Sequence, residues 1–476
     1  MSLDLSTPEF RQLLQKATDL VIAQHADLDT KKGYHDYPQA EVESWFDEPL
    51  PLTGMPSDNL FAEAKTKVLD TATGNLGANM YAYVMAGGNQ MSIAAEMLAN
   101  TVNQNVAKWH LAPAMSEIEK RVAKWGAEMI DYPGKAGVMV SGGSAANFAG
   151  LNVGRNVFFE RLDIRKKGLF GQKPFTVYAS KETHSCVDKS LDALGIGTDQ
   201  LRKIAITRDF KVKVAAMEAQ IQADIAAGFQ PFCIVGNAGT VNTGAIDDLT
   251  ALADLAKKYK LWFHVDGAYG GLCAALDSVK ALYRGIERAD SVAMDFHKWL
   301  YQPFEAGLVL VKDWDTLQRT YFKQADYLDG SLEETSRTNF NEHYFQLSRN
   351  TKAFKVWMSL KFYGFERVKA MIQQDIDLAA YLAKQVEATS DFELSATSDL
   401  AICCFRYKGS LTDEQSITEL NRRLVPALES DGRVFIAGTK LHGEFVLRAC
   451  LINHRKTEAT CDYLLEVVRE VGSQLI

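Results

Sequence analysis

Apolar runs alternate with amphipathic stretches through the middle of the chain. Four short apolar runs between about residues 80 and 315 have the length and composition of buried strands, namely 137–141, 175–179, 232–236 and 261–265. Stretches with helical periodicity separate these runs, and 249–259 is the clearest of them. This alternation predicts βαβ units and a mainly parallel sheet, which is an α/β fold.

The two ends of the chain show different patterns. Residues 1 to about 75 are typical of helices joined by proline-rich turns, in a segment too extended to hold a core of its own. The last part opens with a helical pattern at 350–363. It continues with alternating segments near 401–407, 433–437 and 445–451, which predict a small α/β domain with an antiparallel sheet. We therefore expect three parts: an N-terminal helical arm (1–79), a large domain (80–349) and a small C-terminal domain (350–476).

Lys298 lies in the run 291–300 and follows a short stretch of small and apolar residues that is typical of a buried strand. Because burying a free ammonium is costly, a lysine there is desolvated, neutralised or covalently committed. The simpler alternative is a lysine whose charged end reaches solvent from the strand's end. A covalent commitment means an imine to a carbonyl, and the natural carbonyl is that of pyridoxal 5'-phosphate.

An acidic residue ends another predicted strand. Asp266 closes the run 261–266 and precedes the small-residue segment 267–271. Ligands of α/β folds lie at the carboxyl ends of parallel strands, and a pyridinium nitrogen needs a carboxylate to keep it protonated. The alternative interpretation of Asp266 is a helix N-cap.

A glycine turn and a histidine complete the pattern. The run 138–147 predicts a strand, a glycine turn and a helix, whose first amides form an anion site to which Ser141 or Ser144 adds a hydroxyl. It is neither a dinucleotide motif nor a P-loop, so it suits a phosphate without a nucleotide. His184 follows the strand 175–179 at an expected sheet edge, where an imidazole could stack on a cofactor ring, although a lone histidine is more often a core residue.

The order of these features resembles the group II pyridoxal-phosphate decarboxylases, which include aromatic amino acid, glutamate, cysteine sulfinate and diaminobutyrate decarboxylases. The matching motifs are HVDGAYGG at 264–271, DFHKWL at 295–300 and NAGTVNTG at 237–244. The resemblance extends from about Tyr81 to Asn453. It implies the fold of pyridoxal-phosphate-dependent transferases (fold type I, like aspartate aminotransferase). It also implies a homodimer whose active sites lie near the interface, with the N-terminal arm wrapped around the partner subunit; a helical cap packed on its own chain is the alternative.

The same resemblance implies a set of cofactor residues: Gly143, Ser144, His184, Thr240, Asp266, Ala268, His297 and Lys298. Lys298 would form the internal aldimine, Asp266 would pair with the pyridinium nitrogen and His184 would stack on the ring. Thr240 would lie near a cofactor oxygen or the substrate carboxylate, and the phosphate would lie by Gly143, Ser144 and His297. Many members have asparagine where this chain has Asp295, and an ionised Asp295 would repel a phosphate.

The implied reaction is decarboxylation of an L-amino acid to the amine and CO2, through an external aldimine and a quinonoid. In the resembled enzymes a tyrosine on a mobile loop is implicated in the final protonation, and the loop here is 327–344. Phe340 stands where aromatic amino acid decarboxylases have the tyrosine of Thr-Asp-Tyr, and phenylalanine cannot donate a proton. This makes an oxygen-dependent aldehyde synthase the alternative function, unless Tyr327, Tyr344 or His343 supplies the proton.

The substrate is less well determined. Tyr81 and Tyr83 match a pattern of aromatic decarboxylases, and Asn105 lies in a polar segment, 103–109, that is expected to face the substrate. Lys108 could attract an acidic side chain, although such a lysine is usually solvated. We therefore favour aromatic substrates, with acidic amino acids next. A carbon–carbon lyase and a pyridoxal-binding protein without catalysis remain alternatives, as does an aminotransferase that would use Arg349 and Arg448.

Composition agrees with a metabolic enzyme. The 476 residues are 47% hydrophobic, enough for a large core and more than one domain. A net charge of −8 argues against nucleic acid as the main partner. The seven cysteines lack metal-ligand spacing, so no metal is expected; buried reduced thiols are expected instead, Cys403 and Cys404 among them. The chain shows no signal peptide and no membrane-length apolar run, which favours the cytoplasm and a protein without membrane contact.

Overall fold

The structure is a computed structural model that describes residues 3–323 and 337–476. The chain divides into two compact units. The larger comprises Ala86–Ala379 and Thr397–Ile402, and the smaller comprises Met1–Met85, Ala380–Ala396 and Cys403–Ile476. The three-part division expected from the sequence stays a prediction; residues 350–379, which were expected to open the third part, fall in the larger unit.

The larger unit is built on a seven-stranded sheet. Its strands are β1 (Ala136–Val140), β2 (Phe175–Ser180), β3 (Leu201–Ile204), β4 (Gln230–Asn237), β5 (Trp262–Gly267), β6 (Ser291–Asp295) and β7 (Gly307–Val311). Their order across the sheet is β1-β7-β6-β5-β4-β2-β3. From β3 to β6 all neighbours are parallel, whereas β7 is antiparallel to both β6 and β1. The predicted α/β fold with a mainly parallel sheet is confirmed.

Helices connect and cover these strands. In chain order they are α1 (Thr7–Gln24), α2 (Gln39–Trp45), α3 (Ser57–Ala64), α4 (Gln90–Val102), α5 (Pro113–Met129), α6 (Gly143–Phe158), α7 (Ile164–Lys167), α8 (Cys186–Ala193), α9 (Val214–Ala226), α10 (Leu249–Tyr259), α11 (Phe296–Trp299), α12 (Trp314–Tyr321), α13 (Lys352–Tyr363), α14 (Phe365–Glu387), α15 (Glu414–Asp431) and α16 (Glu458–Ser473). Helix α10 has the bounds predicted from its periodicity. The Asp248 side chain accepts from the Ala251 amide at its start, and Lys260 ends it in a left-handed conformation, with φ of 56°.

The predicted strands of the larger unit form, with small shifts at their ends. β1, β2, β5 and β6 are buried at every residue, as expected of strands covered on both faces. The expectation that the strand before His184 lies at the sheet edge is wrong, because β3 pairs with the outer side of β2. Residues Leu201–Ile204 are half polar and only four long, so β3 had no clear apolar signal.

The smaller unit contains α1–α3 and a four-stranded sheet. The strands are β8 (Phe392–Thr397), β9 (Ile402–Tyr407), β10 (Ala437–Leu441) and β11 (Glu444–Cys450), in the order β10-β11-β9-β8. β10 and β11 form an antiparallel hairpin, whose two-residue turn has positive φ at His442 and Gly443. The segment 433–437 was expected to be a strand, but only Ala437 belongs to one; Phe435 instead pairs with Met80 in an isolated parallel bridge.

Three features concern the whole chain as far as the structure describes it. All seven cysteines are buried and none is in a disulfide, Cys403 and Cys404 included. Within residues 3–323 and 337–476, no helix has the length and apolarity that crossing a membrane requires. No group of metal-ligating side chains is found in that part of the chain either.

Candidate active site

Lys298 lies in the single-turn helix α11, directly after the buried strand β6. Its Nζ is 2.9 Å from Oδ2 of Asp295, the last residue of β6. Burial by itself would lower the pKa of Lys298, but the charge and hydrogen bond of Asp295, with a contribution from Asp266, raise the pKa above its usual value. The Lys298 side chain is 19% exposed, so the lysine is a mostly buried ammonium with a dedicated counter-ion.

Only one of the two carboxylate oxygens of Asp295 has a polar partner in the described residues. Its side chain is only 2% exposed, and its Oδ2 also lies 3.5 Å from Nε2 of His297. The other oxygen, Oδ1, is buried and has no hydrogen-bond partner among the described residues. Buried polar atoms are usually satisfied, so an orphaned carboxylate oxygen marks a place where a further donor fits.

The turn between β1 and α6 packs against the side chains of Asp295 and His297. A methyl group on Gly143, the first residue of α6, would lie 2.8 Å from Oδ2 of Asp295 and 2.7 Å from Cβ of Ala268. A methyl group on Gly142 would lie 3.1 Å from Cε1 of His297. Only glycines allow this approach. The first amides of α6 and the exposed side chain of Ser144 lie at this turn, where the sequence predicts an anion site.

Asp266 lies at the carboxyl end of β5, in register with Asn237 of β4 and Ala293 of β6. Its side chain is not an N-cap of a following α-helix: Oδ1 accepts from the amide of Ala268, two residues on, at 3.1 Å. The residue is 7% exposed, so the carboxylate is nearly buried. It lies close enough to Lys298 to raise the lysine's pKa.

A buried hydrogen-bond chain joins β5 to the start of α6. Nε2 of His264 contacts Oδ1 of Asn147 at 2.8 Å, and Nδ2 of Asn147 donates to the carbonyl of Gly143. Since an amide oxygen only accepts, Nε2 of His264 carries the proton. Nδ1 then accepts from Ser291, 2.8 Å away. Burial lowers the pKa of His264 to about 4, so the ring is neutral. This link was not predicted from the sequence.

The glycines of α6 make room for this chain. A methyl group on Gly150 would lie 2.6 Å from Cε1 of His264, and one on Gly154 would lie 2.7 Å from Cδ1 of Trp262. Helix α6 therefore packs directly on the side chains of β5.

His184 lies between β2 and α8, and its side chain is exposed. Its Nδ1 accepts from the Cys186 amide at 3.2 Å, so Nε2 carries the proton when the ring is neutral. The preceding residue, Thr183, accepts from Nδ2 of Asn237, which in turn is held by the buried Asp247. The position of His184 is thus tied to the end of β4.

Thr240 lies in the loop after β4. It is 2% exposed, and its hydroxyl is 3.2 Å from that of Thr243 and accepts from the Ala245 amide. Cys186, a residue not singled out from the sequence, is buried near the cluster, since Asp266, Lys298 and Asp295 all act on its pKa. Its pKa is raised mainly by burial, so it is a thiol.

The polar segment expected to face the substrate is held by Arg349. Asn105 accepts from the backbone amide of Arg349, and the Arg349 guanidinium donates to the carbonyls of Val106 and Met139. The guanidinium also pairs with Glu119 of α5, and both side chains are almost fully buried. Arg349 is therefore a structural residue and does not offer a free guanidinium to a carboxylate. The expectation that Lys108 is solvated is wrong, since only 6% of it is exposed.

The two tyrosines proposed as substrate contacts belong to the smaller unit. Tyr81 is fully buried, donates its hydroxyl to the carbonyl of Thr460 and has Nζ of Lys456 3.4 Å from its ring centroid. Tyr83 is 59% exposed and packs edge-on against Phe435. Their role towards a substrate stays a prediction.

Phe340 is a core residue. Its ring is fully buried, lies 6.0 Å from that of Trp314 and stacks under the Arg349 guanidinium at 4.8 Å. The next residue is fixed by a backbone hydrogen bond, which the Asn341 amide donates to the carbonyl of Ala107. Tyr327 lies outside the described residues. Tyr344 and His343 are described, and both are mostly buried.

Comparison with known proteins identifies this arrangement. Residues 39–408 match the pyridoxal-dependent decarboxylase conserved domain. The chain is 32% identical to an aromatic-L-amino-acid decarboxylase of Bacillus atrophaeus, over 99% of this chain and 96% of that one. The chain belongs to the pyridoxal-dependent decarboxylase family. It is also 26% identical to a phenylacetaldehyde synthase of Arabidopsis thaliana, over 88% of this chain and 86% of that one.

A solved structure of this kind has the same fold. The crystal structure of Oryza sativa TDC with PLP and tryptamine superimposes with a TM-score of 0.94, at 24% identity and with 100% of both chains covered. The predicted family, fold, cofactor and carboxy-lyase activity are therefore confirmed, and the cofactor of this decarboxylase is pyridoxal 5'-phosphate.

The residues present fit this cofactor. The first turn of α6 presents the exposed Ser144, where a phosphate fits, next to the close-packed Gly142 and Gly143, and the buried Asp266 acts on Lys298 electrostatically. The orphaned Oδ1 of Asp295 can accept from a further donor in the site. Sequence reasoning treated Asp295 only as a group that repels phosphate and did not recognise it as the counter-ion of Lys298. Their spacing of three residues at a helix start was the available signal.

Proposed function

We propose that this decarboxylase converts an aromatic L-amino acid to the corresponding amine and CO2. The observation that carries the proposal is the grouping of Lys298 with the buried Asp295 and Asp266 at the ends of two adjacent parallel strands, against the first turn of α6. The likeness to an aromatic-L-amino-acid decarboxylase over nearly the whole of both chains supports the aromatic class. Acidic amino acids are the second substrate class.

Each residue at the site has a distinct task in this proposal. Pyridoxal 5'-phosphate, when bound, supplies an aldehyde that condenses with amines and a protonated ring that accepts the electron pair left by CO2. Lys298 holds the cofactor covalently through Nζ. Asp266 keeps the proton on the ring nitrogen, because its buried carboxylate favours the cation. His184 covers one face of the ring, while Gly143, Ser144 and His297 bind the phosphate.

Several residues orient groups without touching the reacting bond. Thr240 and Ala268 line the site at the ends of β4 and β5. Asp247, through Asn237 and Thr183, fixes the residue next to His184. Asn105, held by the backbone amide of Arg349, contributes to substrate recognition.

The final proton is delivered by a residue other than Phe340. Tyr327, on the segment before Arg337, is our proposed donor, with His343 and Tyr344 as alternatives. The packing of the fully buried Phe340 ring between Trp314 and Arg349 supports a structural role for this residue. An aldehyde synthase remains the second candidate function because of the likeness to phenylacetaldehyde synthase.

We further propose a cytoplasmic homodimer. The helices α1–α3 contain no buried residue, and apolar side chains such as Phe10, Leu14 and Leu60 are 36 to 53% exposed on them. Such a surface suits a second copy of the chain. The seven buried thiols suit a reducing compartment.

Product analysis tests the function. Purified enzyme is incubated with tryptophan, tyrosine, phenylalanine, DOPA, glutamate and cysteine sulfinate, while CO2, amine, ammonia and peroxide are measured. We expect CO2 and amine from an aromatic substrate in equal amounts, without peroxide. Peroxide and ammonia in step with CO2 would establish the aldehyde synthase instead, and turnover of the acidic substrates alone would overturn the aromatic assignment. Tyr327→Phe is expected to shift the products towards aldehyde.

A further inference from the structure

The proposed phosphate site at the start of α6 already has a protein carboxylate beside it. The Asp295 carboxylate lies against Gly143, and Oδ1 of Asp295 is buried without a hydrogen-bond partner in the described part of the chain. A bound phosphate would therefore lie close to a carboxylate that can only accept hydrogen bonds. Two buried acceptors without a proton between them repel each other. A single added proton turns the same contact into a strong charge-assisted hydrogen bond.

We propose that Asp295 couples cofactor binding to the uptake of one proton, which is shared between Oδ1 of Asp295 and a phosphate oxygen. The proposal rests on the proposed function, since it assumes that the phosphate of pyridoxal 5'-phosphate binds beside Gly143. A phosphate monoester loses its second proton near pH 6, so above that pH the free group is mainly a dianion. Binding then takes a proton from solvent, and it does so less easily as the pH rises.

The neighbours of Asp295 do not remove the need for this proton. On α11, Lys298 is already committed to Oδ2, and its raised pKa keeps it an ammonium over the pH range of interest. His297 is 3.5 Å from Oδ2, but burial lowers its pKa. Lys355 of α13 acts on His297 in the same direction.

The groups on the other elements add no cation next to Oδ1. Asp266 of β5 is an acid, and Cys186 of α8 is a thiol whose pKa is raised by burial. Gly143 and Ala268 contribute no titratable side chain. Asp295 itself therefore determines how many protons are taken up when the phosphate binds, and Asp295→Asn is the decisive variant. The side-chain amide introduced by Asp295→Asn offers a donor, so it needs no proton to contact the phosphate.

Calorimetry with pyridoxine 5'-phosphate isolates the phosphate contact, because this compound has no aldehyde and cannot react with Lys298. Titrations of the cofactor-free enzyme in buffers of different ionisation enthalpy give the number of protons taken up. At pH 8 we expect the enzyme to take up about one proton more than Asp295→Asn, and we expect that difference to vanish near pH 5. The ring of the ligand titrates in both proteins, so the contribution of the ring cancels from the difference.

The dissociation constant gives the second readout. Between pH 7 and 8.5 the affinity of the parent enzyme should fall more steeply with pH than that of Asp295→Asn. The ratio of the two dissociation constants should change by about tenfold per pH unit. Asp254→Asn, on α10, removes a carboxylate whose side chain is 68% exposed and pairs with Arg288, and it is the matched control that should behave as the parent enzyme. Because the loss of Asp295 also frees Lys298 to titrate, both proteins are compared again in a Lys298→Arg background, where the cation is permanent.

Three results are decisive. Equal proton uptake by the enzyme and Asp295→Asn would overturn the proposal. So would loss of the uptake in His297→Gln together with its retention in Asp295→Asn, since the proton would then belong to the histidine. Should Asp295→Asn fail to fold, Asp295→Ser replaces it. Failure of the proposed function is a separate outcome: the parent enzyme would then bind neither pyridoxine 5'-phosphate nor pyridoxal 5'-phosphate.

Discussion

Two buried ion pairs of the larger unit differ in how fully they are satisfied. Arg349 and Glu119 share their partners: the arginine also donates to the carbonyls of Val106 and Met139, and Glu119 also accepts from the Met139 amide. Lys298 and Asp295 form a less buried pair, since the lysine side chain is 19% exposed, and one carboxylate oxygen of Asp295 has no partner in the described residues. The first pair uses its charge to hold the fold. The second leaves charge available for a ligand, which is what a reactive site requires.

The strongest test of this contrast removes the reactive cation. Lys298→Ala should lose activity by on the order of 10³-fold or more, because the covalent attachment of the cofactor is lost. The yellow absorbance of the bound cofactor should disappear, while the protein stays folded by circular dichroism. Lys258→Ala, whose side chain is 61% exposed and pairs with Glu218, is the control. Retention of the yellow absorbance in Lys298→Ala would show that another lysine holds the cofactor.

Breaking the structural pair should act on stability. Glu119→Gln leaves the Arg349 charge buried and uncompensated, which typically costs about 3–5 kcal/mol of unfolding free energy. Thermal or urea unfolding measures the loss. Glu128→Gln on the same helix changes a side chain that is 57% exposed and 3.6 Å from Lys124, and it should change little. If Glu119→Gln kept full stability but lost cofactor absorbance, the assignment of roles to the two pairs would be reversed.

His264 provides a buried polar group that is satisfied without any charge. Its folded pKa of about 4 lies below the usual 6.5, so the unfolded chain binds a proton that the folded chain does not. Stability is therefore lost as the pH falls from about 6.5 to 4, by up to about 3 kcal/mol from this residue. His264→Gln should flatten that part of the stability profile, whatever its stability at pH 7. His110→Gln, at an exposed position, should retain the slope of the parent enzyme.

The smallest change in stability is expected at Phe340, whose ring contacts the Arg349 guanidinium. Phe340→Tyr adds a hydroxyl to a fully buried ring, and we expect a loss of about 1–3 kcal/mol with unchanged products. Phe340→Leu serves as the control for lost ring contacts. A parent enzyme that makes peroxide, and that makes only amine after Phe340→Tyr, would place residue 340 at the reaction centre and contradict its packing role.

Local sequence patterns predicted one of these pairs in part and missed the other. Lys298 and Asp266 were found because each directly follows an apolar strand, and parallel strands bring their carboxyl ends to one edge. The Arg349–Glu119 contact joins residues 230 positions apart, and no local pattern contains it. Strand ends were predictable from composition. The antiparallel insertion of β7 between β1 and β6 was not, because strand direction depends on the connections.

The same reasoning applies to Phe340 and Asp295. Phe340 was judged by a motif of three residues, which records the identity of a side chain and not the direction in which it packs. Asp295 was judged by its charge alone, although its spacing from Lys298 was visible in the sequence. Both cases required the position of a second group before the role of the first could be assigned.

Gly150 and Gly154 set the thickness of the layer between α6 and the sheet. Neither residue is part of the proposed phosphate site, yet any side chain at these positions would act as a wedge and tilt the helix whose first turn forms that site in our proposal. The strength of cofactor retention can therefore be graded from the middle of α6. An engineer who wanted an enzyme that exchanges its cofactor readily, or one that keeps it through dialysis, could begin at these two glycines and leave every contacting residue untouched.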